Sequence, residues 1–133
     1  LWSRGLGDVY KRQVQYEYIK QELADLFALA DIVISRAGAN AICELNALKK
    51  PNLLIPLSAN ASRGDQILNA RSFERQGFSM VLEEEKITEN TLLNSIRELY
   101  QNRQSYINAM SDSSHMNSIE KITGLIEDCV NKQ

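Results

Sequence analysis

From Val14 onward, short β-branched and apolar runs alternate with longer stretches of helical periodicity. This alternation is typical of βαβ units, in which crossover helices join parallel strands. The runs that predict strands are Ile32-Val33-Ile34, Leu53 to Leu57 and Phe78 to Leu82. The stretches that predict helices are Gln21 to Ala30, Ala41 to Lys49, Asp65 to Gln76, one that begins after Thr88, and the remainder from Arg103 to Val130. The sequence therefore predicts an α/β fold with a parallel sheet.

Each predicted helix has an apolar face that a sheet would bury. These faces carry Leu23, Leu26, Phe27 and Ala30, then Ile42, Leu45 and Leu48, then Ile67, Leu68 and Phe73, and last Leu92, Ile96 and Leu99. Gly77 is placed to end the third helix in the left-handed conformation, and Thr88 is placed to cap the fourth. The β-branched run Ile32 to Ile34 predicts a buried strand.

The 133 residues fit one domain. Three or four strands make a thin sheet, and the first strand and glycine-rich turn with which such folds usually begin are not found here, so we expect part of the sheet to lie upstream. Residues 1–13 lack the periodicity and begin without methionine, and we interpret them as a non-native leader. Residues 14–133 are then expected to form part of a domain.

The formal net charge of -2 argues against a dedicated nucleic-acid binder. Cys43 and Cys129 lie far apart and match no metal-binding spacing, which favours reduced thiols in the cytosol and leaves a disulfide open. No apolar run approaches the roughly 20 residues that span a bilayer, and the first residues lack the features of a signal peptide. We therefore expect no export by that route.

The segment Ser35 to Ala41 joins a predicted strand to a helix, where unpaired N–H groups can bind an anion. Gly38 is expected to give conformational freedom, and Ala39 and Ala41 leave room for a phosphate. An ordinary turn without a ligand stays an equal alternative. Glu44, one turn into the helix, could accept hydrogen bonds from a ribose diol, although this residue taken alone favours a solvated surface glutamate.

A second polar cluster, Arg63 to Gln66 followed by Asn69, stands at the next strand-to-helix connection. Both connections are expected at the same sheet edge, where one ligand can reach both. Taken alone, these residues favour the alternative, an ordinary N-cap by Asp65 with polar neighbours. His115 stands in a polar run and is expected to be an exposed loop residue. We therefore assign no catalytic residue and no metal ligand.

Two segments, ADIVISRAGANAICELNALKKPNLLIPL and RGDQILNARSFERQGFSMVLEE, closely resemble the C-terminal domain of the bacterial peptidoglycan N-acetylglucosaminyltransferases, a GT-B glycosyltransferase family. The resemblance covers about residues 16–130. Its motifs are a small-residue turn, an early helical glutamate, a K-P-x-L-L-I-P strand and a D-Q-x-x-N-A helix start. It implies the C-terminal half of a GT-B enzyme, in which a Rossmann-like domain holds the sugar nucleotide.

The resemblance also implies a reaction, transfer of N-acetylglucosamine from UDP-N-acetylglucosamine to lipid I (undecaprenyl-diphospho-muramoylpentapeptide) to form lipid II, with inversion. No metal or other cofactor is implied, because helix N-termini and loop amides carry the diphosphate charge. The acceptor would bind an N-terminal domain that has no counterpart here, so we expect no turnover by this fragment. Peripheral contact with the cytoplasmic face of the plasma membrane is expected only of the full enzyme.

Position by position, the resemblance implies a set of donor contacts. Ala39, Asn40 and Ala41 match the turn at the diphosphate, and Glu44 matches the ribose ligand. Asp65 and Gln66 match the pair at the donor sugar, and Asn69 lies on the same helix face as Gln66. Backbone near Ile19 matches the loop that recognises uracil. Arg36 and Gly38 belong to the same turn as Ala39, and their contacts with the donor are left unassigned. Another GT-B transferase that uses a UDP-sugar, or a non-catalytic nucleotide-binding module, stays as the alternative.

Overall fold

The computed structural model describes residues 13–113. Helices and strands alternate along this part of the chain, as the sequence predicts. In chain order the elements are α1 (Leu23–Leu29), β1 (Val33–Ser35), α2 (Ala39–Ala47), β2 (Asn52–Leu54), α3 (Ala59–Ser62), α4 (Asp65–Arg75), β3 (Ser79–Val81), a 3-10 turn (Glu84–Lys86) and α5 (Glu89–Gln101), followed by helical residues 103–113.

The three strands form a parallel sheet in the order β1-β2-β3. Ser35, Leu54 and Val81 lie side by side at the carboxyl ends of the strands. The α/β prediction with a parallel sheet is therefore confirmed. Because all three strands end at one edge, the connections that follow them leave the sheet from the same side.

The central strand β2 is covered on both faces. Leu53 and Leu54 are fully buried although successive side chains of a strand point to opposite faces. Leu54 belongs to a buried cluster with Ala37, Ile42 and Ala70, against which Phe73 and Val81 pack. The core therefore holds the strand from which the second strand-to-helix connection starts.

The two predicted helix boundaries are confirmed. Thr88 caps α5 through a capping box, in which its hydroxyl accepts from the Thr91 N–H at 3.1 Å and the Thr91 hydroxyl accepts from the Thr88 N–H at 2.7 Å. Gly77 follows α4 with φ +80°, a conformation that strains any residue with a side chain. Both boundaries follow from local backbone chemistry.

The prediction that β1 is a buried strand is wrong. Ile34 is 44% exposed because, among the described residues, β1 lies at the edge of the sheet and pairs only with β2. The predictions that Leu48 and Leu68 face inward are also wrong. Leu48 lies at the end of α2 and is half-exposed, whereas Leu68 is 70% exposed because it lies about 200° around α4 from the buried Ala70.

The strands are shorter than predicted, and α3 lies between the second predicted strand and the helix from Asp65, where no helix is predicted. No helix among residues 13–113 has the length and apolar character that a membrane span requires. Cys43 is an exposed free thiol. The predictions for residues 1–12, His115 and Cys129 fall outside the described residues, as does the part of the last predicted helix beyond residue 113.

Candidate functional site

The turn between β1 and α2 leaves the first turn of the helix open. Gly38 is the N-cap of α2, no side chain caps this end, and the first turn carries no acidic residue. Ala37 is buried beneath the turn, whereas Ala39 and Asn40 are exposed. Because first-turn N–H groups have no partner within the helix, they offer donors and a partial positive charge to an anion.

The reason predicted for Gly38 is wrong. Its φ of −68° and ψ of 144° are values that any residue adopts, so the turn does not use the conformational freedom of glycine. A Cβ built at this position meets no atom within 4 Å. The missing side chain therefore contributes open space in front of α2 rather than a special backbone shape.

The start of α4 is also without a side-chain cap. Arg63 and Gly64 both have positive φ, 57° and 85°, and Gly64 is the N-cap. Asp65 is the first helical residue and makes no capping hydrogen bond, so the alternative in which Asp65 caps the helix is wrong. Its carboxylate is exposed, where other groups can reach it.

The N-termini of α2 and α4 border one open depression with a volume of about 500 Å³. Its lining consists of Ala39, Asp65, Gln66, Leu68 and Asn69. The structure therefore brings together four residues that the sequence analysis selected from two separate connections. Leu68 is a lining residue that the sequence does not predict, because the helical period places its apolar side chain on the core face of α4.

Gln66 also supports the shape of this depression. Its Oε1 accepts a hydrogen bond from the Leu57 N–H at 3.0 Å, which holds the connection after β2 against the start of α4. The carboxamide nitrogen is the donor end of the same side chain. A glutamine held at one end is well suited to present the other end in a fixed position.

Glu44 lies in a second depression, with a volume of about 380 Å³, between α2 and the segment that leads into α1. The lining is mostly apolar and consists of Lys20, Gln21, Leu23, Ala24, Phe27, Glu44, Ala47 and Leu48. Lys20 follows Ile19 directly, so the structure brings Glu44 close to the segment predicted to contact uracil. Phe27 also lines this depression, which its sequence pattern does not indicate, because the periodicity of α1 predicts that this side chain packs in the core.

The two depressions both border α2. Ala39 contributes to the depression at its N-terminus, and Glu44 contributes to the depression nearer α1. Gly38, Asn40 and Ala41 belong to the intervening turn and first helical turn and line neither depression. A ligand that used both depressions would therefore pass the open amides of α2.

The guanidinium group of Arg36 contacts the connections that follow β2 and β3. Its Nη2 lies 3.0 Å from the Glu84 Oε1, and its Nη1 donates to the Ile55 carbonyl oxygen at 3.4 Å. The partners stand 48 and 19 positions away in the chain, so no local pattern indicated them. Arg36 lines neither depression.

The groups of the site are suited to binding a polar or charged organic ligand. Within residues 13–113, no three His, Cys, Asp or Glu side chains are grouped so that they could hold a metal ion. The groups in and between the two depressions include the open amides of α2, the exposed carboxylates of Glu44 and Asp65, and the carboxamides of Gln66 and Asn69. Such a set can bind a phosphate at the amides and hydroxyl groups at the carboxylates.

Comparison with known proteins gives a family match. Residues 5–126 match the glycosyltransferase family 28 C-terminal domain. Similar proteins of Lachnoclostridium phytofermentans, Lachnospira eligens and Clostridium novyi are 62%, 64% and 60% identical over 119, 115 and 114 residues, which cover 90%, 86% and 86% of this chain.

All three relatives are named UDP-N-acetylglucosamine--N-acetylmuramyl-(pentapeptide) pyrophosphoryl-undecaprenol N-acetylglucosamine transferase. The match covers 34%, 32% and 32% of their lengths. The chain therefore spans about a third of the length of the curated relatives it matches.

Proposed function

Because the chain belongs to the glycosyltransferase family 28 C-terminal domain family, we propose that it binds the UDP-N-acetylglucosamine donor of a cell-wall glycosyltransferase. The observation that supports this most is the meeting of two uncapped helix N-termini at one depression. The names of the relatives support the identity of the sugar nucleotide.

The diphosphate would lie at the N-terminus of α2, against the amides of Ala39, Asn40 and Ala41. The helix dipole favours an anion there, and the open space at Gly38 allows phosphate oxygens to approach the backbone. During transfer the bond from the anomeric carbon to the diphosphate breaks, and the leaving UDP gains negative charge. Fixed amide donors stabilise that charge without a metal ion.

The donor sugar would occupy the depression between α2 and α4. Asp65 is an acceptor for sugar hydroxyl groups, and Gln66 and Asn69 offer both donors and acceptors. Asp65 would repel a phosphate, which favours the sugar over the diphosphate as its partner. This arrangement separates the groups that bind the leaving group from those that bind the transferred sugar.

The nucleoside would occupy the depression beside Glu44. The Glu44 carboxylate would accept hydrogen bonds from both ribose hydroxyls, and backbone near Ile19 would contact uracil. The apolar side chains of Leu23 and Phe27 suit the face of a base. UDP would therefore extend from this depression to the N-terminus of α2.

For the whole protein we propose transfer of N-acetylglucosamine to the C4 hydroxyl of lipid I, which forms lipid II with inversion. The acceptor oxygen attacks the anomeric carbon, loses its proton to a base and displaces UDP. We place the acceptor site and this base in the part of such proteins that lies outside the matched third. Because the acceptor is a lipid, we also propose that the whole protein associates peripherally with the membrane, at its cytoplasmic face.

Calorimetric titration of the purified chain tests the proposal. UDP-N-acetylglucosamine and UDP are expected to bind saturably at one site, and UMP at least about tenfold more weakly because it lacks the second phosphate. ADP is the matched control for the base and UDP-glucose for the acetamido group. Equal binding of ADP and UDP, or no binding of either by a folded chain, would contradict the proposal.

A further inference from the structure

Two arginines fix the acidic segment that follows β3. Arg36 pairs with Glu84 across 3.0 Å, and Arg71 of α4 pairs with the preceding Glu83. Glu83 also pairs with Lys86, at 3.3 Å. The segment is therefore attached to the β1–α2 turn, which leads into Ala39, and to α4. Both sides of the depression between α2 and α4 are thus connected to this segment.

Arg36 connects the ends of all three strands. It follows β1 directly, its Nη1 donates to the Ile55 carbonyl oxygen just after β2, and its Nη2 donates to Glu84 after β3. Leu54 and Val81, the last residues of β2 and β3, lie next to each other in the sheet. A change at this arginine would therefore remove the side-chain contacts that join the three connections, while the backbone hydrogen bonds from Ile55 to Ser35 and from Leu82 to Leu54 would stay.

Arg71 provides the corresponding attachment for α4. Its Nη1 lies 2.7 Å from the Glu74 Oε1, and its Nη2 donates to Glu83. Hydrogen bonding to Arg71, and then to Lys86, lowers the pKa of Glu83, so this carboxylate is charged at neutral pH. The helix that carries Asp65, Gln66 and Asn69 is thus held to the same acidic segment as Arg36.

We propose that Arg36 is a positioning residue of the donor site, which acts through Glu84 and does not contact the ligand. The proposal rests on the function proposed above. Three observations carry it: Arg36 lines neither depression, its guanidinium already contacts Glu84 and Ile55, and Ala39 follows it by three positions. This role differs from the ligand contact expected from the sequence.

The test is titration of UDP-N-acetylglucosamine into Arg36→Ala, Glu84→Ala, the double variant and the reversed pair Arg36→Glu with Glu84→Arg. Both side chains are about half-exposed, at 49% and 42%, so the effects are expected to be modest. Each single variant should bind about two- to fivefold more weakly, as for an exposed ion pair. The double variant should bind no more weakly than the singles, and the reversed pair should recover binding.

Glu85→Ala is the matched control, because it removes the same charge from the same segment at a residue with no ion-pair partner among residues 13–113. It should leave affinity unchanged. If Arg36 instead contacts the diphosphate, Glu84→Ala will leave binding unchanged or tighten it, and the reversed pair will bind worst. Either result would overturn the proposal.

Amide NMR spectra of the ligand-free chain separate this inference from the proposed function. Arg36→Ala and Glu84→Ala should shift the same amides, those of residues 39–41 and 65–66, while Glu85→Ala leaves them in place. Unshifted amides in both variants would overturn the positioning role even if no nucleotide bound. Shifted amides in a chain that fails to bind UDP-N-acetylglucosamine would uphold the positioning role and refute only the proposed ligand.

Discussion

Replacement of Glu44 by alanine is expected to weaken binding of UDP and of UDP-N-acetylglucosamine by about 10- to 100-fold. The range corresponds to about 1.4–2.8 kcal/mol, close to one hydrogen bond to a charged group, because water can replace part of the contact at this exposed carboxylate. Glu44 is exposed on α2 and its side chain is not part of the core, so the unfolding free energy should change little. The measurement is calorimetric titration paired with thermal unfolding.

Three comparisons make this result specific. Glu44→Gln keeps the shape of the side chain and should lose less affinity than Glu44→Ala, because one carboxamide oxygen can still accept. Glu98→Ala removes an exposed helical glutamate from α5 and should have no effect on binding. Pyrophosphate, which has no ribose, should bind the Glu44→Ala chain at least as well as the parent. Unchanged UDP affinity in Glu44→Ala would contradict the ribose assignment.

Replacement of Leu54 by alanine is expected to lower the unfolding free energy by about 2–5 kcal/mol. Leu54 is fully buried in the central strand and packs with Ala37, Ile42 and Ala70. The lost side chain would leave a cavity where the sheet contacts the start of α2. A small domain has roughly 5–15 kcal/mol of stability, so this single change removes much of it. Chemical denaturation measures the difference.

Leu29→Ala is the matched control, because Leu29 is 80% exposed and the same truncation removes little buried surface. It should change the unfolding free energy by less than about 0.5 kcal/mol. Leu54→Met conserves most of the volume and should cost less than about 1.5 kcal/mol. A Leu54→Ala chain as stable as the parent would show that β2 is not the centre of the core.

The general architecture could be predicted because local signals specify it. Periodicity separates strands from helices, and Gly77 and Thr88 end and begin helices through backbone chemistry that depends only on neighbouring residues. A parallel sheet follows once strands and helices alternate. This parallel arrangement in turn predicts that both connections lie at one edge, and the structure confirms that Ala39 and Asp65 border one depression.

The features that could not be predicted depend on distant parts of the chain. The exposure of Ile34 depends on the edge position of β1, which the β-branched pattern does not encode. Leu68 matches a helical period, yet the side of α4 that faces the sheet is set by the packing of Ala70 and Phe73. The contact between Arg36 and Glu84 joins residues far apart in sequence.

The central claim is that one nucleotide sugar occupies both depressions and passes the N-terminus of α2. Amide NMR of the isotopically labelled chain, titrated first with UDP and then with UDP-N-acetylglucosamine, tests it directly. UDP should shift residues 19–21, Glu44 and residues 39–41, and the sugar should add shifts at Asp65, Gln66 and Asn69. Shifts confined to one depression, or located mainly on α5, would contradict the claim.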